Sequence, residues 1–106
     1  MEKLSKAIVD VLAERQRQID IKGWTPEHDD EHGHGEMAGA AACYAHHVNA
    51  RAWVVGTTHD DYAQEPSPDL WPWSEDSWKP TTPRRDLVKA AALLLASPSV
   101  VLALNL

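Results

Sequence analysis

The sequence predicts a small all-α protein: a helical bundle with a long Trp/Pro-rich crossover loop before the last helix. Three stretches carry apolar residues at helical spacing, and a segment with many prolines precedes the third. With 106 residues, the chain is long enough for one modest hydrophobic core. We therefore expect a single domain over residues 1–106.

The first predicted helix spans residues 3–21. Its apolar residues recur at helical spacing without an intervening Gly or Pro: Leu4, Ala7, Ile8, Val11, Leu12, Ile19 and Ile21. Glu14 falls on the border of this apolar stripe, and Arg15 and Gln18 fall inside it. Either the stripe ends after Leu12 or these side chains face a polar cavity, because buried polar groups need partners.

The second predicted helix runs from about Gly35 to Asn49, with Met37, Ala41, Tyr44 and Val48 on its core face. Residues 50–82 are predicted to be irregular, since five prolines occur from position 57 through Pro83, which begins the next helix. Within this region, residues 51–56 fit either a short strand or an extension of the second helix. Long loops in compact domains tend to be functional. The tryptophans at positions 71, 73 and 78 are expected to clamp the loop rather than fill the core.

The last predicted helix begins at Pro83, with Thr82 as its cap, and ends at Ser97. Residues 87–96 are apolar nearly all round, which predicts a buried helix. The tail, residues 99–106, is apolar and uncharged except for its terminus. We therefore predict a homodimer that buries the last helix or the tail across a two-fold axis, although the tail could instead fold back on its own chain.

Composition narrows the classes of function. A net charge of −6 argues against general nucleic-acid binding, although a bound divalent cation would still permit nucleotides. A single cysteine, Cys43, excludes an internal disulfide. We expect no signal peptide and no membrane span, because the start is charged and the apolar runs are short. The expected location is cytoplasmic.

Residues 27–36 combine five carboxylates with three imidazoles. Oxygen ligands suit Mg²⁺ and Mn²⁺, and imidazole adds affinity for Mn²⁺. We interpret the segment as half of a metal or phosphate site, in which Asp29 and Glu36 bind metal and His32 is a ligand or proton shuttle. The alternative is an acidic surface loop whose carboxylates only complement the N-terminus of the second helix.

A second cluster of charged residues lies at the start of the last predicted helix. Asp86 and Lys89 are three residues apart, so they share one helix face. In one interpretation Asp86 binds metal, while Lys89 and Arg85 bind phosphate. In the other, Asp86 and Lys89 form an ordinary helical salt bridge.

Two parts of the sequence resemble a family of small phage and prophage proteins over about residues 13–96. They are Gly-Trp-Thr-Pro-Glu-His-Asp-Asp from position 23 and Trp-Pro-Trp…Trp-Lys-Pro…Arg-Arg-Asp-Leu-Val-Lys from position 71. More distantly, the acids on three helices resemble the all-α nucleoside triphosphate pyrophosphatases of the MazG type. Those enzymes bind Mg²⁺ through Glu-x-x-Glu and Glu-x-x-Asp motifs and are usually oligomeric. Here the residue three positions after Glu14 is Arg17, and the residue three positions after Glu36 is Gly39. Neither motif is therefore intact.

These observations lead to two functional hypotheses. The first is a Mg²⁺- or Mn²⁺-dependent nucleotide phosphoanhydride hydrolase, with His32 and Glu36 catalytic and Trp24 or Trp71 stacking on the base. Its metal ligands would be Glu14, Asp29, Glu36 and Asp86, and its phosphate contacts Arg85 and Lys89. The second is a non-catalytic accessory protein of a phage or mobile element that acts by protein–protein interaction.

Overall fold

A computed structural model describes residues 5–22, 35–52 and 59–97, and four α-helices lie within these ranges. Helix α1 spans Lys6–Lys22, α2 Glu36–Ala52, α3 His59–Gln64 and α4 Pro83–Ala96, with a short 3-10 helix at Glu75–Ser77. No strand occurs in these three ranges, so the predicted all-α class is confirmed. The region 53–56, where a strand was one alternative, lies outside the described residues.

Helix α1 exposes its first half and buries polar groups in its second. Ser5 begins the helix by accepting a hydrogen bond from the Ile8 N–H at 3.2 Å. Ile8 and Leu12 are about half exposed, whereas Glu14 and Gln18 are buried. Among the stripe residues whose side chains the structure describes, Val11 and Ile19 are partly buried and the others are exposed. Glu14 and Gln18 face the interior instead.

Helix α2 supplies one wall of the core. It begins after Gly35, whose φ of +100° is a conformation that glycine adopts without strain. The helix runs to Ala52, three residues beyond the predicted end. Met37, Ala41 and Tyr44 are buried, as the helical spacing predicts, whereas Val48 is only partly buried. Both α1 and α2 pack against α4.

Aromatic rings from the crossover complete the core. Trp78 stacks on Tyr44 with ring centroids 4.7 Å apart, and Trp71 meets both rings edge-on. Trp71 and Trp78 belong to the buried core with Leu93. The prediction that these tryptophans only clamp the loop was therefore wrong. The chain contains no Phe, so in these positions tryptophan provides the large aromatic surface.

Helix α3 replaces part of the predicted loop. Residues 59–61, expected to be loop, form its first turn. Tyr62 anchors the helix, because its hydroxyl donates to Asp86 Oδ2 at 2.5 Å and its carbonyl accepts from His47 Nε2 at 2.9 Å. A helix of six residues carries too little periodicity to be recognised from sequence.

Helix α4 begins and ends where the sequence predicts. Thr82 Oγ1 accepts the Arg85 N–H at 3.1 Å, Pro83 is the first helical residue, and Ala96 is the last. The prediction of a buried helix holds only in part, since three leucines are more than one-third exposed: Leu87, Leu94 and Leu95. Among the described helices, none has the length and apolar character needed to cross a membrane.

Candidate anion-binding site

A cavity of about 410 Å³ lies where α1, α2, α4 and the crossover meet. Four cationic side chains and one carboxylate line it: Arg17, Lys79, Arg85, Lys89 and Glu14. The remaining lining residues are Gln18, Tyr44, Ser77 and Leu93. In a protein with a net charge of −6, this is a local concentration of positive charge.

Glu14 organises the arginines of this cavity. Its carboxylate accepts hydrogen bonds from Arg17 Nε and Nη2, both at 2.8 Å, from Gln18 Nε2 at 3.2 Å and from Arg85 Nη2. Burial raises the pKa of Glu14, but hydrogen bonding and charge from Arg17 and the charge of Arg85 outweigh it and hold the pKa below its usual value. The carboxylate is therefore ionised at neutral pH and fully occupied by protein donors.

Asp86 lies behind the cavity wall and is completely buried. Its carboxylate accepts the Tyr62 hydroxyl at 2.5 Å and the Thr81 N–H at 3.0 Å, and Oδ1 lies 3.5 Å from Lys89 Nζ. The salt bridge that the spacing suggested as one alternative is thus present. Asp86 ties α3, the crossover and α4 together at the base of the site.

Lys89 brings a buried ammonium group to the cavity. Its Nζ donates to the Lys79 carbonyl at 2.6 Å and lies 5.4 Å from the centre of the Tyr44 ring. Burial lowers the pKa of Lys89 from its usual value, against the opposing effect of the Asp86 charge. The Lys79 N–H donates to Tyr44 Oη at 3.2 Å, which fixes the crossover against α2.

Tyr44 keeps its hydroxyl proton over the physiological range. Burial raises the pKa of Tyr44 to about 12. The hydroxyl oxygen is already used as the acceptor for Lys79 N–H.

The structure brings together only part of the predicted site. Glu14, Arg85 and Lys89 line one cavity, with Asp86 directly behind it. Glu36 does not line it: it opens α2 and accepts the Trp73 Nε1 hydrogen bond at 3.2 Å. Eight residues separate Glu36 from the Tyr44 wall, which is about 12 Å along a helix. The predicted residues Trp24, Asp29 and His32 lie outside the described residues.

The described acids do not fit the expected metal site. Within the three described ranges, no group of three or more His, Cys, Asp or Glu side chains could hold a metal ion. Glu14 and Asp86 bind guanidinium, amide, hydroxyl and ammonium donors instead. Metal binding stays a prediction of the sequence, because Asp29 and His32 are not among the described residues.

Sequence reasoning missed several cavity residues. Arg17 follows Glu14 by three positions, so helical spacing could have paired them. For Gln18 the sequence left two alternatives, and the one in which it faces a polar cavity is observed. Nothing in the sequence places Lys79 or Ser77 here, because both come from the irregular crossover.

A second cavity, of about 530 Å³, lies between α2 and the crossover at Cys43, His46 and Leu70. Burial raises the pKa of the Cys43 thiol, so it lacks the activation that a nucleophilic cysteine needs. The cationic cavity is therefore the stronger candidate for a functional site.

No family model, curated protein or solved structure matches this chain.

Proposed function

We propose that the protein binds the phosphate groups of a nucleotide in the cationic cavity and hydrolyses a phosphoanhydride bond with Mg²⁺ or Mn²⁺. One observation supports the binding step above all others. Four cationic side chains converge on one cavity, and the single carboxylate among its described lining residues is saturated by protein donors.

Arg85 and Lys89 are the proposed phosphate ligands. The Arg85 side chain is 39% exposed and uses Nη2 to bind Glu14, so its planar group retains further N–H donors for phosphate oxygens. Lys89 provides a more deeply buried charge, with 11% of its side chain exposed. Charge-assisted hydrogen bonds of this kind are stronger than hydrogen bonds between neutral groups. The cavity volume of about 410 Å³ lies within the usual range for small-molecule sites.

The proposal assigns metal binding to Asp29, His32 and Glu36 rather than to Glu14 and Asp86. The latter two fit a metal poorly, because their oxygens already accept hydrogen bonds from the protein. A divalent ion bound to a nucleotide neutralises phosphate charge and activates water. Trp24 remains the proposed stacking partner of the base.

The test is a screen of nucleoside triphosphates with the full chain in Mg²⁺ or Mn²⁺. We expect calorimetry to detect binding of at least one nucleotide, and a coupled assay to detect phosphate or pyrophosphate release. Release should disappear when EDTA removes the metal. Absence of release at high protein concentration would contradict the hydrolase, and absence of binding would contradict the phosphate site.

A non-catalytic accessory protein is the second candidate, because apolar side chains are exposed on two helices. Ile8, Val9 and Leu12 on α1 are about half exposed, and so are Leu87 and Leu94 on α4. Such side chains favour contact with a partner or with a second copy of the chain. An unchanged melting temperature with every nucleotide and divalent ion, together with capture of a protein partner, would favour this candidate.

A further inference from the structure

Arg17 and Arg85 approach the cationic cavity from different helices and meet at one oxygen atom. Arg17 Nε donates to Glu14 Oε1 at 2.8 Å, and Arg85 Nη2 donates to the same oxygen. Arg17 Nη2 also donates to Glu14 Oε2 at 2.8 Å. Two guanidinium groups therefore share one carboxylate, so this cluster of three side chains carries one uncompensated positive charge.

The guanidinium group of Arg17 borders the cavity and retains hydrogen-bond donors. The Arg17 side chain is 38% exposed, in contrast to the buried carboxylate that it binds. The hydrogen bond to Glu14 is the main cause that raises the pKa of Arg17, and the Tyr44 hydroxyl is close enough to add an electrostatic contribution. Because Tyr44 belongs to the α2 wall of the cavity, this interaction places the Arg17 charge on the cavity side of α1. Within the described residues Nη1 makes no hydrogen bond, so its N–H groups are left for a ligand.

Arg85 and Lys89 add two cations beside Arg17. They are four residues apart on α4, which places them on adjacent turns of one helix face. Arg85 uses Nη2 to bind Glu14, and its other guanidinium N–H groups make no hydrogen bond with a described residue. The Lys89 ammonium group has three donors, of which the Lys79 carbonyl and Asp86 occupy two. Three cations from two helices thus border one space of about 410 Å³.

A terminal phosphoryl group matches these three cations better than a phosphodiester does. A terminal phosphoryl group has three non-bridging acceptor oxygens and about two negative charges near neutral pH. A phosphodiester has only two such oxygens and one charge. Each of the three cations can therefore meet an oxygen of its own only in the terminal group. The uncompensated charge beside Glu14 adds to the preference for the more highly charged ligand.

We infer that Arg17 is a specificity-determining phosphate ligand, which together with Arg85 and Lys89 selects a terminal phosphoryl group over a phosphodiester. The ligand class is a phosphate monoester or the end of a polyphosphate chain, as in a nucleoside 5′-phosphate, and not a cyclic nucleotide or a nucleic-acid backbone. The inference rests on the proposed phosphate binding and is independent of whether a phosphoanhydride bond is hydrolysed.

Calorimetry on the full chain in Mg²⁺ tests this with matched ligands: the 5′-monophosphate and the 3′,5′-cyclic monophosphate of each of the four ribonucleosides. Neither ligand contains a phosphoanhydride bond, so binding is measured without hydrolysis. The wild-type protein should bind at least one 5′-monophosphate about 10- to 100-fold more tightly than its cyclic counterpart, the effect of one hydrogen bond between charged groups. In Arg17→Gln, affinity for that 5′-monophosphate should fall by about the same factor. Affinity for the cyclic ligand should change less than about threefold, because two cations suffice for its two oxygens.

Lys6→Gln is the matched control, because Lys6 lies on the same helix, pairs with Asp10 at 3.1 Å and does not line the cavity. It should bind both ligands as the wild type does. Arg17→Lys keeps a positive charge beside Glu14 and serves as the second variant if Arg17→Gln does not fold. It should retain a preference for the 5′-monophosphate, although a smaller one, since an ammonium group lacks the planar fork of donors.

Three results would overturn the inference. Equal losses for the two ligands in a folded Arg17 variant would show that Arg17 acts only by supporting Glu14. Equal wild-type affinity for a 5′-monophosphate and its cyclic counterpart would remove the selectivity and leave phosphate binding intact. Binding of nucleoside triphosphates but of no 5′-monophosphate would show that a terminal phosphoryl group is not what the cavity selects. Failure of every ligand, triphosphates included, would reject the proposed phosphate site itself, and the inference with it.

Discussion

Glu14 on α1 and Arg85 on α4 form an ion pair across 71 positions of the chain, with one member buried and the other open to the cavity. The Glu14 side chain is 1% exposed, whereas the Arg85 side chain is 39% exposed. A charge buried to this extent is stable only when paired, and Arg17 provides the second guanidinium. The carboxylate therefore fixes two guanidinium groups at the cavity wall rather than contacting a ligand anion itself.

Arg85→Gln should weaken nucleotide binding about 10- to 100-fold, because a hydrogen bond to a charged group contributes about 1.5–3 kcal/mol. Calorimetric titration with the best nucleotide measures the change. Arg84→Gln is the matched control: Arg84 pairs with Asp10 at 2.8 Å and does not line the cavity. Equal losses in the two variants would show that general charge, rather than the cavity, accounts for binding.

Glu14→Gln should lower the free energy of unfolding by about 1–3 kcal/mol at neutral pH. Breaking a buried ion pair usually lowers stability by more than this. The loss is smaller here because Arg17 and Arg85 are partly exposed and can turn toward water. Denaturant unfolding followed by circular dichroism measures the loss. The control is Glu65→Gln, which removes the more exposed pair with Arg51 and should cost no more than about 1 kcal/mol.

The same variant should change the acid dependence of stability. The pKa of Glu14 in the folded protein lies below its usual value of 4.5, so the folded state binds this proton less readily than the unfolded state. Its stabilising contribution is fully present above about pH 4.5 and is lost as the pH falls through the folded pKa. Below pH 4.5 the stability of the wild type should therefore fall more steeply than that of Glu14→Gln. Parallel curves would contradict this assignment.

The helices were predictable where local signals agree. Thr82, Pro83 and Ser97 specify the ends of α4, because each acts through its own backbone or its nearest neighbours. Burial was less predictable, since it depends on partners distant in sequence. Leu12 and Leu94 match the helical period yet are about half exposed, because the elements that pack on α1 and α4 contact their other faces.

The residues of the candidate site were predictable only in part, and their arrangement was not. Unusual polarity at the borders of apolar stripes singled out Glu14 and Asp86, and the structure buries both among charged and polar partners. Their partners could not be derived, since Arg85 approaches Glu14 only through tertiary packing and Tyr62 reaches Asp86 from an unpredicted helix. The sequence therefore suggested metal ligands where the structure shows carboxylates bound to cationic and hydroxyl groups.

Tyr62→Phe should destabilise the protein by about 1–3 kcal/mol, because it removes the hydroxyl that donates to fully buried Asp86 at 2.5 Å. Burial and this carboxylate both raise the pKa of Tyr62, so the hydroxyl keeps its proton up to strongly alkaline pH. Chemical denaturation gives the value. Combining Tyr62→Phe with Asp86→Asn in a double-mutant cycle should reveal a coupling energy. If the stability losses of the two single variants add up to that of the double variant, the contact does not stabilise the fold.

Mn²⁺ or Mg²⁺ should raise the melting temperature if residues 27–36 bind metal. At 100 times its Kd, a ligand specific for the folded state adds about 2.7 kcal/mol, a shift on the order of 10 °C for a chain of this size. Asp29→Asn and Glu36→Gln should each reduce the shift, and Asp76→Asn, an exposed acid of the 3-10 helix, should leave it unchanged. A shift of the same size in all three variants would point to non-specific ion binding.

The full chain should form a homodimer through apolar surface on α4. Leu87 and Leu94 are seven residues apart, hence on one helix face, and each is 47% exposed. Exposed leucines at this spacing favour burial against a two-fold related copy. Light scattering should give twice the monomer mass, and the combined change Leu87→Gln and Leu94→Gln should halve it without reducing helix content. Truncation after Ala96 tests the tail separately. If the truncated protein is monomeric and the leucine variant is still a dimer, the interface lies in the residues beyond the helix. A monomeric full-length protein, unaltered by either change, would refute the dimer and leave these leucines as solvent-exposed surface.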